Sequence, residues 1–177
     1  MKKIFNIRIA FLTAIILAAA FSRLIHHIPN FSPIMAIALF GAAYFENKFE
    51  AIIIPLIAMF LSDIILGFHT TMPAVYISFV LGSVIGFILL KKVSIGKIIA
   101  ASLLGSIIFF ILTNFAVWLM TDYYTSDLAG LAKCYTLAIP FFRNTVLGDL
   151  LYCGALFGGF ALFEKYIPFL NYSTKRL

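Results

Sequence analysis

Charge is scarce in this chain, and acidic charge is scarcest: seven Asp and Glu stand against thirteen Lys and Arg, and the four types make up 11% of 177 residues. A soluble globular domain carries about 25%. So few ionisable groups cannot cover a water-facing surface, and a hydrophobic share of 63% with mean hydropathy +1.09 places the chain in lipid. Cysteine is nearly missing as well. Cys134 and Cys153 cannot define a disulfide framework, and no CxxC pair or zinc-ligand spacing occurs. There is no Walker-type phosphate loop and no GxSxG elbow, so neither a nucleotide-driven motor nor that class of hydrolase is encoded. Basic patches interleaved with exposed aromatics are also missing; the net charge of +6 reflects topology and contact with anionic lipid, with no nucleic-acid partner.

What the chain has in quantity is long apolar segments. A helix needs about 20 mostly apolar residues to cross the hydrocarbon, because each backbone amide there must be satisfied within its own segment. Six segments meet or approach that length, at about 7–25, 33–45, 51–67, 73–90, 97–120 and 142–164. The second is short and flanked by Pro29 and Pro33, so it is expected to start from a loop dipping into the outer leaflet, or the bilayer to thin there. The expected fold is therefore all-α: a single transmembrane domain over 1–177, an integral membrane bundle of six helices. Its only sizeable loop is expected from Thr121 to about Pro140.

Alternate threading gathers Lys2, Lys3, Arg8, Lys48, Lys91, Lys92, Lys97, Lys165, Lys175 and Arg176 on the side of the termini, leaving Arg23, Lys133 and Arg143 opposite. Ten against three is a strong positive-inside bias, so both termini are expected to be cytoplasmic. Lys2-Lys3 followed by an apolar run and Ala18-Ala19-Ala20 also fits a cleaved signal peptide. Against that reading, the remainder of the chain is itself membrane.

Ionisable groups are costly within a bilayer and normally face a partner or a cavity. Asp63 falls near the outer end of the third segment, and Asp149 sits in the sixth with Thr145 and Tyr152 on the same helix face. Arg23, His26 and His27 form a second polar stripe, and Asn114, Trp118 and Asp122 a third. The threading puts these groups and His69 in the outer half. They can pair internally, as Arg23 with Asp63 or Arg143 with Asp149, and simply hold helices together. They can equally line an outward-facing site, in which Asp63, Asn114 and Asp149 hydrogen-bond a ligand, Trp118 and Tyr152 supply ring contacts, and Arg23 or His69 closes the site. Trp118, Tyr123 and Tyr124 read as an aromatic belt or a stacking platform.

Ala10, Ala14, Ala18 and Ser22 recur every four residues on the first helix and leave one face without bulk. Such a face either packs inside the bundle or docks onto another membrane protein. Together with the alanine ladder and the polar groups beneath outer loops, the residues Pro29-Asn30-Phe31-Ser32-Pro33, Leu61-Ser62-Asp63 with Gly67-Phe68-His69, Thr113-Asn114-Phe115 with Trp118, and Cys134-Tyr135 through Gly148-Asp149-Leu150 carry a resemblance. The chain resembles the substrate-binding S components of energy-coupling factor (ECF) transporters, and more closely a small bacterial membrane family related to them. That resemblance implies capture of a vitamin-like micronutrient in a pocket capped by the loops after helices 1, 3 and 5. It also implies docking by helix 1 onto a transmembrane component with two cytoplasmic ATPases in the bacterial cytoplasmic membrane. Relatives that import nickel or cobalt carry a histidine directly after the initiator methionine; Lys2 stands there instead.

The sequence thus points to a substrate-binding membrane subunit with a small-molecule ligand, no cofactor, no metal and no catalytic residue. Two other classes remain in view: an intramembrane enzyme using Asp63 and Asp149 as paired carboxylates with His69, and a scaffold docking through the alanine face.

Overall fold

The computed structural model describes residues 2–25 and 28–167, with side chains from residue 7 onward. Among these residues the secondary structure is helical and without strands. Helix α1 spans Lys2–Phe21 and ends in a 3-10 turn, Ser22–Leu24; α2 spans Ile34–Tyr44, α3 Lys48–Leu66, α4 Met72–Leu89 and α5 Ile95–Met120. Helix α6, Leu128–Cys153, passes through a π-helical turn, Gly154–Gly158, into α7, Gly159–Tyr166, making one continuous rod. Five of the six rods are long and apolar enough to cross a membrane, and α2 is the short one. The chain alternates direction at each connection. The end holding the turns at 45–47 and 90–94 is called proximal here, and the end holding the loops at 22–33, 67–71 and 121–127 distal.

The sixth helix starts well before the sequence pattern indicates. The stretch expected as a loop from Thr121 to Pro140 is mostly helix, and α6 begins at Leu128. Its start is set by Asp127, whose side chain accepts a hydrogen bond from the Gly130 N–H at 2.7 Å. Lys133, Thr136 and Pro140 lower the apolar signal, yet α6 stays wound because it lies along α5: the Tyr135 hydroxyl donates to the Ile111 carbonyl at 2.6 Å, and the Phe110 and Phe142 rings meet at 4.8 Å. Pro140 lies inside the rod and costs it one internal hydrogen bond. The whole rod of 39 residues runs about 58 Å, against a hydrocarbon core of about 30 Å.

Helix α2 is the axle of the bundle. Nine of its eleven residues are buried, so it is apolar all round, as a helix wrapped by others must be. Close approach is possible because α4 and α5 present glycine to it: Gly82 and Gly105 leave the space that Met35 fills, and a Cβ at either position would overlap that side chain. Around α2 pack Leu12 and Ile16 of α1, Ala58 and Met59 of α3, Phe79 of α4 and Phe157 of the π turn. The outer surface carries Ile57, Phe60, Ile64, Ile77, Ile88 and Leu151, all exposed, the pattern of a bundle that meets lipid rather than water.

A helix that begins and ends inside a protein leaves unpaired amides at one end and carbonyls at the other. Both ends of α2 meet a buried charge of the matching sign. At its start, the Asp149 carboxylate accepts from the backbone N–H groups of Met35 and Ala36, and from the Ser106 hydroxyl at 2.7 Å. At its end, the Arg8 guanidinium donates to the Tyr44 carbonyl at 3.1 Å, with Glu164 of α7 close enough to interact with Arg8. The helix dipole favours this arrangement of charges. Arg8, which the charge count takes as one of the surface cations, is only 3% exposed.

The alanine ladder resolves the other way from internal packing. Ala10, Ala14 and Ala18 are exposed together with Ile7 and Phe21, while Arg8, Leu12, Ile16 and Ala20 point inward. The smooth face of α1 looks out of the bundle.

Candidate functional site

The distal end is organised by one face of α6. Between α1 and α2 the chain makes a turn closed by a hydrogen bond from the Phe31 N–H to the Ile28 carbonyl at 3.0 Å. Pro29 and Asn30 hold its two central positions, and Asn30 has φ of 61°. Proline first and a left-handed residue second is the signature of a type II turn, and asparagine is the side-chain-bearing type that best tolerates that conformation. Residues of α6 fasten this turn. The Asn144 amide donates to the Pro29 carbonyl at 3.1 Å. Gly148 lets the backbone of Phe31 and Ser32 lie directly on the helix, since a Cβ there would stand 3.1 Å from the Ser32 nitrogen. Asp149 then caps α2, which the turn leads into.

Next to the turn stands a charged cluster. Arg23, at the end of α1, forms an ion pair with Asp63 of α3 at 2.7 Å, and its Nη1 also donates to the Ser62 hydroxyl at 2.6 Å. The other carboxylate oxygen of Asp63 accepts from the Tyr76 hydroxyl of α4 at 2.8 Å. Asp63 is 2% exposed and held by Arg23 and Tyr76. Breaking such a buried pair on one side leaves an uncompensated charge, at about 3–5 kcal/mol. Just beyond Asp63, α3 ends at Leu66 and is capped by Gly67, whose φ of 94° suits glycine and turns the chain towards His69.

Two cavities open here, one on each side of Asn30. The first, about 310 Å³, is lined by Arg23, Asn30, Ser32, Ile34, His69 and Phe109 among others. The second, about 300 Å³, lies between the turn and the α5–α6 hairpin, lined by Asn30, Asn114, Tyr124, Cys134, Leu137 and Phe141 among others. Side chains from all three distal loops contribute: Asn30 and Ser32 after α1, His69 after α3 and Tyr124 after α5. The hairpin wall is held by the Trp118 indole, which donates to the Thr125 carbonyl at 2.9 Å, and by the Cys134 thiol, 3.4 Å from the Asn114 carbonyl.

The residues singled out in the sequence therefore divide. Arg23 and His69 line the first cavity and Asn114 the second. Asp63 lies behind Arg23 and lines neither. Asp149 is below both, committed to Ser106 and the start of α2; of the two internal pairings the sequence allows, Arg23–Asp63 forms and Arg143–Asp149 does not. Tyr152 accepts from the Ser22 hydroxyl at 3.0 Å and its ring lies 6.1 Å from that of Phe31, so it anchors the turn from beneath. Trp118 stitches the hairpin, and Asp122 falls beyond the end of α5. His26 and His27 lie outside the described residues. Asn30 and Ser32 are the site residues that the polar stripes do not reveal, because they sit on a loop with no helical period; the Pro-Asn turn signal marks the place.

The two aspartates share no partner: Asp63 is bound to Arg23 and Tyr76, and Asp149 to Ser106 and the start of α2. Among the described residues no group of three or more His, Cys, Asp or Glu is placed to hold a metal ion. No curated protein and no solved structure matches the chain. Residues 3–170 match the model of DUF6580, a family of unknown function, and the chain belongs to that family.

Proposed function

We propose that this chain is the ligand-capturing subunit of a membrane importer, a substrate-binding component of the ECF type that takes a small organic micronutrient from outside the bacterial cytoplasmic membrane. In this reading both termini are cytoplasmic and the distal end faces out, in keeping with the positive-inside bias. The observation that carries the proposal is the distal cavity of about 310 Å³ on which Arg23, Asn30, Ser32 and His69 converge. Its size is at the small end for ligand pockets, about 300–1,000 Å³, and a few converging polar groups on an apolar wall are what such pockets use for orientation. Because Arg23 is already neutralised by Asp63, the site offers fixed hydrogen-bond donors and little net charge.

Two features support a capture role over a channel. Directly below the cavities, α2 is buried among the described helices and is fastened at both ends, so it stands in the way of a ligand moving through the centre. The bare face of α1 is turned outwards, as docking to a transmembrane partner requires. ATPases acting through that partner would supply the energy that this chain has no site to extract.

Native mass spectrometry on protein purified in mild detergent, after exposure to a mixture of water-soluble vitamins and their precursors, tests the reading. Wild type should retain one compound, and His69→Ala should lose it while keeping its fold, since His69 is exposed. Retention of nothing, or equal retention by both proteins, removes the site. Turnover of a lipid or peptide would favour an enzyme instead.

A further inference from the structure

A cavity of about 360 Å³ lies at the opposite, proximal end, between the end of α2 with the turn after it and the last turn of α4. Its apolar wall is Ala42, Ala43, Phe45, Phe87 and Leu90; its polar rim is Tyr44, Glu46, Lys48 and Lys91. The helix lengths set its depth: α2 stops at Tyr44, α3 starts at Lys48 and α4 ends at Leu89, so the cavity lies where three apolar segments give way to polar turns. This is the headgroup level of a bilayer. The Lys48 ammonium stands 5.8 Å from the centre of the Phe87 ring, on the rim of the apolar wall. Two cations against one carboxylate on the rim give the cavity a net positive charge, with Lys92 next in sequence to Lys91.

We propose that this cavity is a binding site for the headgroup of an anionic phospholipid, with the phosphate held between Lys48 and Lys91 and the start of an acyl chain lying against Phe45, Phe87 and Leu90. A phosphodiester at this depth meets two ammonium groups in a low-dielectric boundary, and the tail extends along apolar surface already facing lipid. The position follows from the helix ends alone and does not depend on the ligand-capture reading of the distal site.

The test is native mass spectrometry of detergent-purified protein given equal amounts of phosphatidylglycerol and phosphatidylcholine with matched chains. Wild type should retain phosphatidylglycerol in preference, and Lys48→Gln combined with Lys91→Gln should lower that retention about tenfold. Lys97→Gln combined with Lys165→Gln removes the same charge from the same end outside the cavity and should leave retention unchanged. Equal loss in both double variants, or no preference in wild type, overturns the site. Displacement of the lipid by millimolar inorganic phosphate would assign the cavity to a free anion and overturn the lipid occupant. Both lysines are exposed, so the substitutions leave the packed core untouched.

Discussion

Replacing Asp149 with alanine tests whether the most deeply buried acid of the bundle works for the fold or for a ligand. The change removes three contacts at once: those with the Met35 and Ala36 amides and that with the Ser106 hydroxyl. Ser106 keeps a second acceptor, the Ser102 carbonyl at 3.0 Å, so two orphaned amides dominate the cost. At about 1–3 kcal/mol for each buried unpaired donor, the loss is about 2–6 kcal/mol. The sum exceeds a surface cap, worth about 1 kcal/mol, because Met35 and Ala36 at the start of α2 are buried. For a chain of this size the melting temperature should fall by on the order of 10 °C. Asp149→Asn keeps an acceptor but loses the charge at the helix dipole, so it should fall in between, and Ser106→Ala should cost only about 1 kcal/mol. A thiol-reactive fluorescent dye provides the assay, since Cys134 and Cys153 are each 1% exposed and report unfolding when they become accessible. Asp149→Ala melting within about 2 °C of wild type would refute the capping account. If that variant also lost a retained ligand, Asp149 would return to the site as a contact.

Asn30→Gly keeps a residue at ease with φ of 61° while deleting the amide between the two cavities, so it should lose ligand retention without loss of stability; Asn30→Ala should cost about 1 kcal/mol as well, through backbone strain. Retention unchanged in Asn30→Gly would take Asn30 out of the site. Ala14→Leu should leave thermal stability within about 0.5 kcal/mol, because the side chain points away from the core, and should abolish co-purification with a transmembrane partner. Unfolding of that variant would mean the ladder packs internally after all. Hydrogen bonds from Gly130 and Thr125 hold the Asp127 carboxyl below its ordinary value of 3.8. A folded-state value depressed in this way stabilises the start of α6 above the unfolded value and is lost as pH falls through the folded one. Hydrogen exchange at residues 128–131 should therefore speed up below about pH 4 beyond its intrinsic pH dependence. Asp127→Asn, which caps without titrating, should abolish that excess, and an unchanged profile would exclude Asp127 as its source.

How much of this was legible in the sequence depends on period and length. Helices α3, α4 and α5 are long uniform apolar runs whose ends agree with the expected ones within about three residues. The start of α6 was hidden because its first fourteen residues are stabilised by contact with α5, and a helix sheltered along one side need not be apolar throughout. Pro140, read as a boundary, marks only a missing hydrogen bond. The Arg23–Asp63 pair was open to inference from depth, since two opposite charges at one level in lipid seek each other. The role of Asp149 was not. Its partners are backbone amides of a helix more than a hundred residues away in sequence, and amides leave no trace in side-chain pattern. Nor could the pattern on α1 say which way the alanines face, because alanine suits both a packed and a docking surface.

The use made of the few acids bears on how a ligand could cross. Asp63 and Asp149, the two buried aspartates, are both committed to internal partners, one neutralising Arg23 and the other fixing the start of α2. Arg8 fixes the other end of α2, and glycines on two neighbours fit closely around Met35. Sliding α2 aside to open a path would break both caps and unpack Met35 together, against a cost already at about 2–6 kcal/mol for the Asp149 cap alone. A ligand bound at the distal end would thus cross more readily if the whole bundle reoriented against a partner than if the bundle opened through its centre. The exposed alanine face is where such a partner would bear. A disulfide engineered between α2 and α4 separates the two routes: uptake in cells that survives the cross-link requires reorientation of an intact bundle, and uptake that it abolishes requires α2 to move.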